Sequence, residues 1–474
     1  MKKILLTTAL LLSVSVSAFA GGLLTNTNQN AVFLRNPARD AIIGIDGVYS
    51  NPAGIAFLPQ GLHLSLSWQA AFQKREITSY APFYALNQNR PGNEHFFEGK
   101  AVAPVIPSVQ AAYVFNDKWS VSAQFAVGGG GGKCEFENGL PMFEQLVGGT
   151  LNGTIGKGQF APYSLNQNLT GKQYFYGVQV GATYKINENV SVFAGARGVI
   201  ARCGYEGAIR NITIGGATSE VFAAQSAQAK AAAEQYAAAG LADEAAYYAG
   251  LAKDAGTAAF MTQDYVLDCS QKGFGVTPIV GVDVKLGKWN LAAKYEFRTK
   301  IELENESTNS DNLAALAAQV PAVAAFADGA KVRSDIPALL TVGAQYDIVK
   351  NVRAMAGFHY YFDKDAKGSA TDVDKNTWEL TFGAEWDVNK WLTVSAGAQR
   401  TKYGFDDTMQ DTNFNISSTA LCLGASFRVN EMVKINAGYM HSFYEDHEIH
   451  KNNSIADFYT RKNDVVGVSV DLKF

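Results

Sequence analysis

The last ten residues, "VVGVSVDLKF" from Val465 to Phe474, alternate strictly between apolar and polar positions. The apolar positions share one face of a strand, and they are Val466, Val468, Val470, Leu472 and Phe474. A half-buried strand of a soluble sandwich could also show this two-residue period. A last strand with an aromatic carboxy-terminus, lipid on one face and a wet lumen on the other is typical of outer-membrane barrels.

The same alternation recurs after a repeated short turn, which places Lys-Trp at the start of a strand at Lys118-Trp119, Lys288-Trp289 and Lys390-Trp391. Three weaker copies are "INENVSV", "IVKNVRA" and "VNEMVKI". Charges alternating with apolar residues would be costly in a dry core, but they suit a wall between lipid and water, with each Trp at the membrane interface. Six turns give twelve strands, and one strand before them and one after them make fourteen. An even number is what a closed single-chain barrel needs.

The connections on the other side are long, which is the polarity of a barrel whose long loops face outward. They lie near 80–106, 128–173, 206–264, 304–331, 363–376, 404–415 and 445–463. Ala-rich Val221 to Asp254 predicts two loop helices that break at Gly240. Residues 311–331 predict another helical loop, interrupted at Pro321. The fold class is therefore all-β and transmembrane, a 14-stranded antiparallel outer-membrane β-barrel with helical extracellular loops.

The start of the chain predicts two further segments. Residues 1–20 carry Lys2 and Lys3, an apolar run and the ending Ala18-Phe19-Ala20, as a secretory signal peptide does. Residues 21–60 are rich in Asn, Gly and Pro but too aliphatic for a disordered tail. We interpret 21–60 as a plug, or hatch, inside the barrel that 61–474 forms. Asn51-Pro52-Ala53 is expected to end the plug and turn the chain into the first strand, because Pro52 fixes φ and the Asn51 amide binds backbone.

Composition excludes several classes. With 40 basic and 44 acidic residues the formal charge is −4, and no basic patch indicates a nucleic-acid partner. Beyond the signal there is no run of 18 apolar residues that would predict a membrane helix. The 28 Phe, 21 Tyr and 45 Gly instead suit aromatic girdles and a curved sheet. The predicted location is the outer membrane of a Gram-negative bacterium.

Together these features resemble the FadL/TodX family of outer-membrane transporters of hydrophobic compounds. The resemblance rests on "SNPAG" just before the first strand, the fourteen-strand pattern, the closing aromatic, the long helical third and fourth loops, and the segment Ile106 to Gly128. It covers essentially the whole mature chain. It implies passive transport of long-chain fatty acids or other hydrophobic compounds, by capture at extracellular loops, plug rearrangement and lateral release through the barrel wall.

The resemblance also assigns candidate sites. The implied loop groove has Leu313, Leu316, Val320 and Phe326, and the implied pocket beside the plug has Val32, Phe33 and Leu34. Asn51, Pro52 and Ala53 are the candidate gating residues. For lateral opening the candidates are Gly128, Gly129, Gly130, Gly131 and Gly132, since glycine tolerates bulges and close backbone approach. A flexible loop start is the plainer reading of this glycine run.

Catalytic and metal signals are weak. There is no Gly-x-Ser-x-Gly elbow and no phosphate-binding glycine loop, so neither an enzyme nor a cofactor is expected. His441, His447 and His450 could bind a divalent ion or simply lie in a solvated acidic loop, and we predict no metal. Cys203 and Cys269 flank the longest loop and could form a disulfide. Cys134 could compete for either one, and the sequence alone does not settle the connectivity.

Two other functions remain compatible with a barrel. A polar-solute porin would need an open lumen and usually starts its first strand close to the mature terminus, which argues against it here. A surface adhesin or binding barrel would contact its partner through the helical loops. The expected partners are a fatty-acid-like hydrophobic ligand and the outer-membrane lipid and lipopolysaccharide around a monomer, with no nucleic acid.

Overall fold

Strands with the two-residue period wind into a closed antiparallel barrel in the computed structural model, which describes residues 24–317, 321–368, 375–404, 411 and 414–474. Within these ranges the strands are β1 Gly61–Tyr80, β2 Glu94–Val114, β3 Trp119–Phe136, β4 Tyr163–Lys185, β5 Val190–Ile214, β6 Tyr265–Leu286, β7 Trp289–Glu296, β8 Glu302–Ser307, β9 Lys331–Arg333, β10 Leu339–Val349, β11 Val352–Tyr361, β12 Trp378–Asp387, β13 Leu392–Lys402, β14 Ser418–Arg428, β15 Val433–Tyr444, β16 His447–Asn452 and β17 Ile455–Lys473.

Fourteen of these strands make the barrel, as predicted. The three others extend the loop side, where β8 pairs with β6, β9 pairs with β8, and β16 pairs with β17. The first and last strands close the wall in one continuous register from His63–Lys473 to Tyr80–Ala456. Closure removes the free sheet edges that would be costly in lipid.

The last strand has the predicted orientation. Val466 and Val468 are exposed on the outer surface, whereas Ser469 and Asp471 are buried toward the lumen. Val468 lies opposite Trp68 of β1, which is also exposed. The apolar face of β17 therefore faces lipid.

Several strands are longer than predicted. β2 begins at Glu94, although the sequence predicted a loop near 80–106. Its first part carries Glu98, which is 3.1 Å from Lys74 of β1 and 3.1 Å from Lys100. The sequence prediction missed this part of the strand because its charged residues resemble those of a loop. In the structure, Glu98 pairs with Lys74 across the ladder.

The α-helices include those of the two predicted helical loops, two short helices after β3 that were not predicted, and one helix before β1. The helices are α1 Gly47–Ser50, α2 Pro141–Glu144, α3 Asn152–Ile155, α4 Ser219–Ala238, α5 Ala242–Met261, α6 Asp311–Ala317 and α7 Pro321–Ala324. The Ala-rich loop breaks at Gly240, whose φ of +75° favours glycine. In the described residues, no helix is long and apolar enough to cross a membrane.

The residues before β1 lie inside the barrel. This plug segment, Leu24–Leu58, contains α1 and two 3₁₀ turns at Ala31–Leu34 and Pro52–Phe57, and most of it is buried. The signal-peptide prediction, residues 1–20, and the first residues of the predicted plug lie outside the described residues.

Candidate transport site: the plug and the interrupted wall

The wall is interrupted between β2 and β3. Pairing of these strands stops at Ser108–Ala126 and resumes only at Lys100–Glu135. On the other side of β3, the register with β4 shifts twice, between Val127 and Gly132. Between these two points β2 and β3 do not pair with each other. We call this stretch, residues 101–107 of β2 and 127–134 of β3, the wall gap. The predicted glycine run, 128–132, falls within it.

Glycine and proline account for the wall gap locally. Gly130 and Gly132 have φ of +86° and +73°, which a side chain would disfavour. Residues 126–132 are all buried, so β3 loses its in–out alternation and turns toward the lumen. On the β2 side, Pro104 and Pro107 have no N–H to leave unpaired. The sequence thus lowers the cost of an open ladder in a membrane wall.

The start of the plug lies across this gap from the inside. The Asn26 backbone N–H donates to the Gly128 carbonyl at 3.0 Å, and the Asn26 side-chain amide donates to the Val127 carbonyl at 3.1 Å. A Cβ on Gly129 would overlap the Leu24 carbonyl oxygen. We call Leu24–Asn30 the gate segment.

Apolar plug residues share a buried cluster with residues of the wall gap. Phe33 and Leu34 belong to one buried cluster with Ile106 of β2 and Val127 of β3. Val32 is also buried, at 2% exposure. Two of the three predicted pocket residues therefore share a buried apolar cluster with residues that border the wall gap.

The predicted gating residues hold the other end of the plug. The Asn51 side-chain amide donates to the Ile42 carbonyl at 3.1 Å and to the Asp283 carboxylate of β6, while its oxygen accepts from the Gly54 N–H at 3.2 Å. The carbonyl of Pro52 accepts from the Thr183 hydroxyl at 2.9 Å. Ala53 of the same triplet is fully buried. A second Asn-Pro-Ala triplet, Asn36-Pro37-Ala38, has a similar local bond, in which the Asn36 side-chain oxygen accepts from the Ala38 N–H at 3.0 Å.

A buried ion cluster ties the plug to the wall. The carboxylate of Glu385, on β12, is 3.0 Å from Arg35 and 2.7 Å from Arg39 of the plug, and it also pairs with Arg353 of β11. Arg39 pairs with Asp46 at 2.8 Å as well. Burial alone would lower the pKa of Arg39, but the two carboxylates outweigh it and raise this pKa above its ordinary value.

A second polar chain joins plug and wall through a histidine. His359 of β11 lies between Asp40 of the plug, at 2.9 Å, and Glu379 of β12, at 2.8 Å. The Tyr361 hydroxyl donates to the same Glu379 at 2.7 Å. Sequence reasoning missed both clusters. Their only signal was that charged residues occupy positions on the lumen face of otherwise apolar strands.

The predicted loop groove is filled with apolar side chains. Leu313, Leu316 and Phe326 are buried in a large cluster at the extracellular end of the lumen. The ring of Phe326 meets Tyr205 of β5 edge-on at 5.6 Å. Val320 lies outside the described residues. These residues form a packed apolar region above the plug rather than an open groove.

The predicted Cys203–Cys269 disulfide is absent, because all four cysteines, including Cys134 and Cys422, are free thiols in the structure. Cys203 lies opposite Gln271, and Cys269 lies opposite Tyr205. The two thiols are therefore two residues out of register. The disulfide prediction assumed that two residues flanking the same loop lie opposite each other, and the register of β5 and β6 contradicts that assumption.

The histidines near the last loop do not converge. His441 is 2.7 Å from Asp464, and His450 is 2.7 Å from Glu448. Across the described ranges, no group of three or more His, Cys, Asp or Glu side chains is arranged to hold a metal ion.

Comparison with known proteins agrees with this architecture. A family model described as an outer membrane protein beta-barrel domain matches residues 318–474. The crystal structure of a Pseudomonas aeruginosa FadL homologue has a TM-score of 0.64 at 14% identity, covering 94% of this chain and 98% of that chain. The fold is that of the FadL-type barrels. No curated protein sequence matches the chain.

Two other FadL-type structures are similar. The Pseudomonas putida toluene transporter TodX has a TM-score of 0.55 at 13% identity, covering 98% of this chain and 97% of that chain. The Ralstonia pickettii toluene transporter TbuX has a TM-score of 0.52 at 13% identity, covering 93% and 98%. The resemblance to FadL and TodX that the sequence indicated is confirmed for the fold, and the chain is an outer-membrane barrel of a Gram-negative bacterium.

Proposed function

We propose that this barrel passively transports long-chain fatty acids or other hydrophobic compounds across the outer membrane and releases them sideways through the wall gap. The observation that carries the proposal is the break between β2 and β3, whose edge residues Ile106 and Val127 belong to the same buried apolar cluster as Phe33 and Leu34 of the plug. The FadL-type fold supports it, since TodX and TbuX, which share that fold, are described as toluene transporters.

Lateral release follows from the physics of a hydrophobic cargo. Apolar surface released into water loses the favourable transfer energy that it gains in a bilayer. A route between β2 and β3 keeps the cargo in apolar surroundings, because Val102 and Val105 of β2 are exposed on the membrane side of the gap. Capture of the cargo at the extracellular loops, which the resemblance to the FadL/TodX family implies, precedes this step.

The plug must move for this route to open. The gate segment closes the wall gap through hydrogen bonds from Asn26, which carry no charge and exchange readily for others. The Asn51 contacts hold the opposite end of the plug against β6. Transport therefore requires release of the gate segment, with no chemical step.

The proposal is tested by filling the gap. Ala103 of β2 packs against the apolar cluster at the gap, and we expect Ala103→Trp to lower uptake of labelled oleate by about tenfold. Ala111→Trp on the same strand is the control, because Ala111 lies in the continuous ladder opposite Leu64 and Ala123. Equal uptake by both variants, or increased permeability to a disaccharide on expression of the wild type, would contradict the proposal and favour a porin.

A further inference from the structure

A row of glycines in the barrel wall lies against the middle of the plug. These glycines lie on seven strands that are neighbours in the sheet, β10 to β15 and β17, and they are Gly343, Gly357, Gly383, Gly397, Gly424, Gly438 and Gly467. Several lie directly opposite one another, as in Gly343–Gly357 and Gly383–Gly397. We call this row the glycine track.

The plug lies on the track at backbone distance. A Cβ on Gly343 would come within 2.5 Å of the Asp40 Cβ, and one on Gly397 within 2.5 Å of the Pro37 Cδ. A Cβ on Gly424 would come within 2.5 Å of the Arg35 Cβ. Real Cβ atoms do not approach other atoms so closely, so these positions admit only glycine while the plug stays in place.

Charge contacts fix the same part of the plug. Arg35 and Arg39 bind Glu385, and Asp40 binds His359, all of them buried. Breaking a buried pair by separating its partners is costly, since each charge is left without compensation. The segment Leu34–Ala41 is thus held both by shape and by charge.

The gate segment is held differently. Leu24–Asn30 contains no charged residue. Its polar contacts to the wall are amide hydrogen bonds, such as Asn28 to Gln69 at 2.7 Å and Asn30 to Gln110 at 2.7 Å. Its one apolar residue, Leu24, packs in a buried cluster that includes Phe175 of β4. The hydroxyls of Thr25 and Thr27 are buried without a hydrogen-bond partner in the structure. Separation of this segment from the wall leaves no buried charge unpaired, whereas separation of Leu34–Ala41 leaves several.

We infer that the glycine track is a seat on which Leu34–Ala41 stays docked throughout transport, so that plug movement is confined to the gate segment. This inference rests on the proposed function. It assigns the seven glycines a positioning role, in which they set the plug against the wall and leave only its first residues free to open the gap.

The inference is tested with disulfide locks in a variant whose four native cysteines are replaced by alanine. Asn36→Cys with Gly383→Cys locks the seat, because a Cβ on Gly383 lies 2.5 Å from the Asn36 Cγ, the place of a thiol sulfur, and the first change removes the clashing amide. Asn26→Cys with Gly128→Cys locks the gate segment, because the Asn26 backbone N–H donates to the Gly128 carbonyl at 3.0 Å and holds the two residues side by side. Labelled oleate uptake is measured oxidised and reduced.

We expect the oxidised seat lock to keep the uptake of its reduced form within about twofold, and the oxidised gate lock to lose about tenfold. Loss of uptake on oxidation of the seat lock, restored by reductant, would overturn the inference. An inactive gate lock with an active seat lock fits both proposals, whereas an active gate lock would refute the proposed route and leave the seat to be decided by its own lock.

Single cysteines give a reading that needs no change to a glycine. Asn28→Cys in the gate segment and Asn36→Cys on the seat are labelled with a maleimide with and without oleate. Oleate should speed labelling at position 28 and leave position 36 unchanged. Faster labelling at position 36 would show that the seat opens and would overturn the inference even if the double variants fail to assemble.

Discussion

At the scale of single residues, Asn51 is the best-connected member of the predicted gating triplet. Asn51→Ala removes the bonds to the Ile42 carbonyl, the Asp283 carboxylate and the Gly54 N–H, and leaves those buried groups to find other partners. Each such loss costs about 1–3 kcal/mol. We expect a loosened plug and altered labelled-oleate uptake with normal heat-modifiable mobility on gels.

The control for that variant is Asn116→Ala. Asn116 accepts the same kind of side-chain-to-backbone bonds, from the Lys118 and Trp119 N–H groups, but it lies in an exposed turn between β2 and β3 and makes no bond to the plug in the structure. It should leave uptake unchanged. If Asn51→Ala assembles and transports like the wild type, Asn51 is a connector and has no part in gating.

Glu385 gives the sharpest residue-scale contrast. Glu385→Gln leaves the buried Arg35 and Arg39 and the half-buried Arg353 around a neutral amide, and breaking a buried pair in this way costs about 3–5 kcal/mol. Glu445→Gln breaks exposed pairs with Arg400 and Lys402 and should cost at most about 1 kcal/mol. The free energy of unfolding in urea, measured in lipid bilayers, checks both; equal losses would show that the buried cluster does not stabilise the plugged barrel.

At the scale of one element, β17 tests the barrel register. Val468→Arg places a charge on the lipid face, which costs about 2–4 kcal/mol near the midplane. Thr460→Arg on the same strand is the matched control, because Thr460 lies beyond the apolar band, with its hydroxyl 3.2 Å from Glu76. Folding into lipid vesicles should be impaired for the first variant alone, and normal folding of both would contradict the assigned register.

Elements were predictable where the pattern was local. Strict alternation at Val466 and Val468, and the helix break at Gly240, depend on neighbours in sequence, and both are confirmed. The long upper part of β2 was missed because Glu98 and Lys100 look like loop residues until their cross-strand partners are known. The Cys203 and Cys269 pairing failed for the same reason, since register between β5 and β6 is not local information.

At the scale of the whole molecule, the sequence predicted the barrel but not how the plug is held. The two-residue period specifies a wall because it repeats in every strand. The contact of Arg39 with Glu385 joins residues that are 346 positions apart, and no local pattern marks it. The glycine track is visible in the sequence only as scattered glycines, and its meaning depends on which plug residue lies against each one.

The measurement that tests the central claim most directly is photo-crosslinking of the cargo in the outer membrane. Oleate carrying a diazirine near its methyl end is given to cells, irradiated during uptake, and its adducts are mapped by mass spectrometry. The account predicts adducts at residues 101–107 of β2, at 127–134 of β3 and at Phe33, the two edges and the inner side of the wall gap. Adducts confined to the extracellular apolar region and the periplasmic turns around Lys118 and Lys288, with none at the gap, would contradict lateral release.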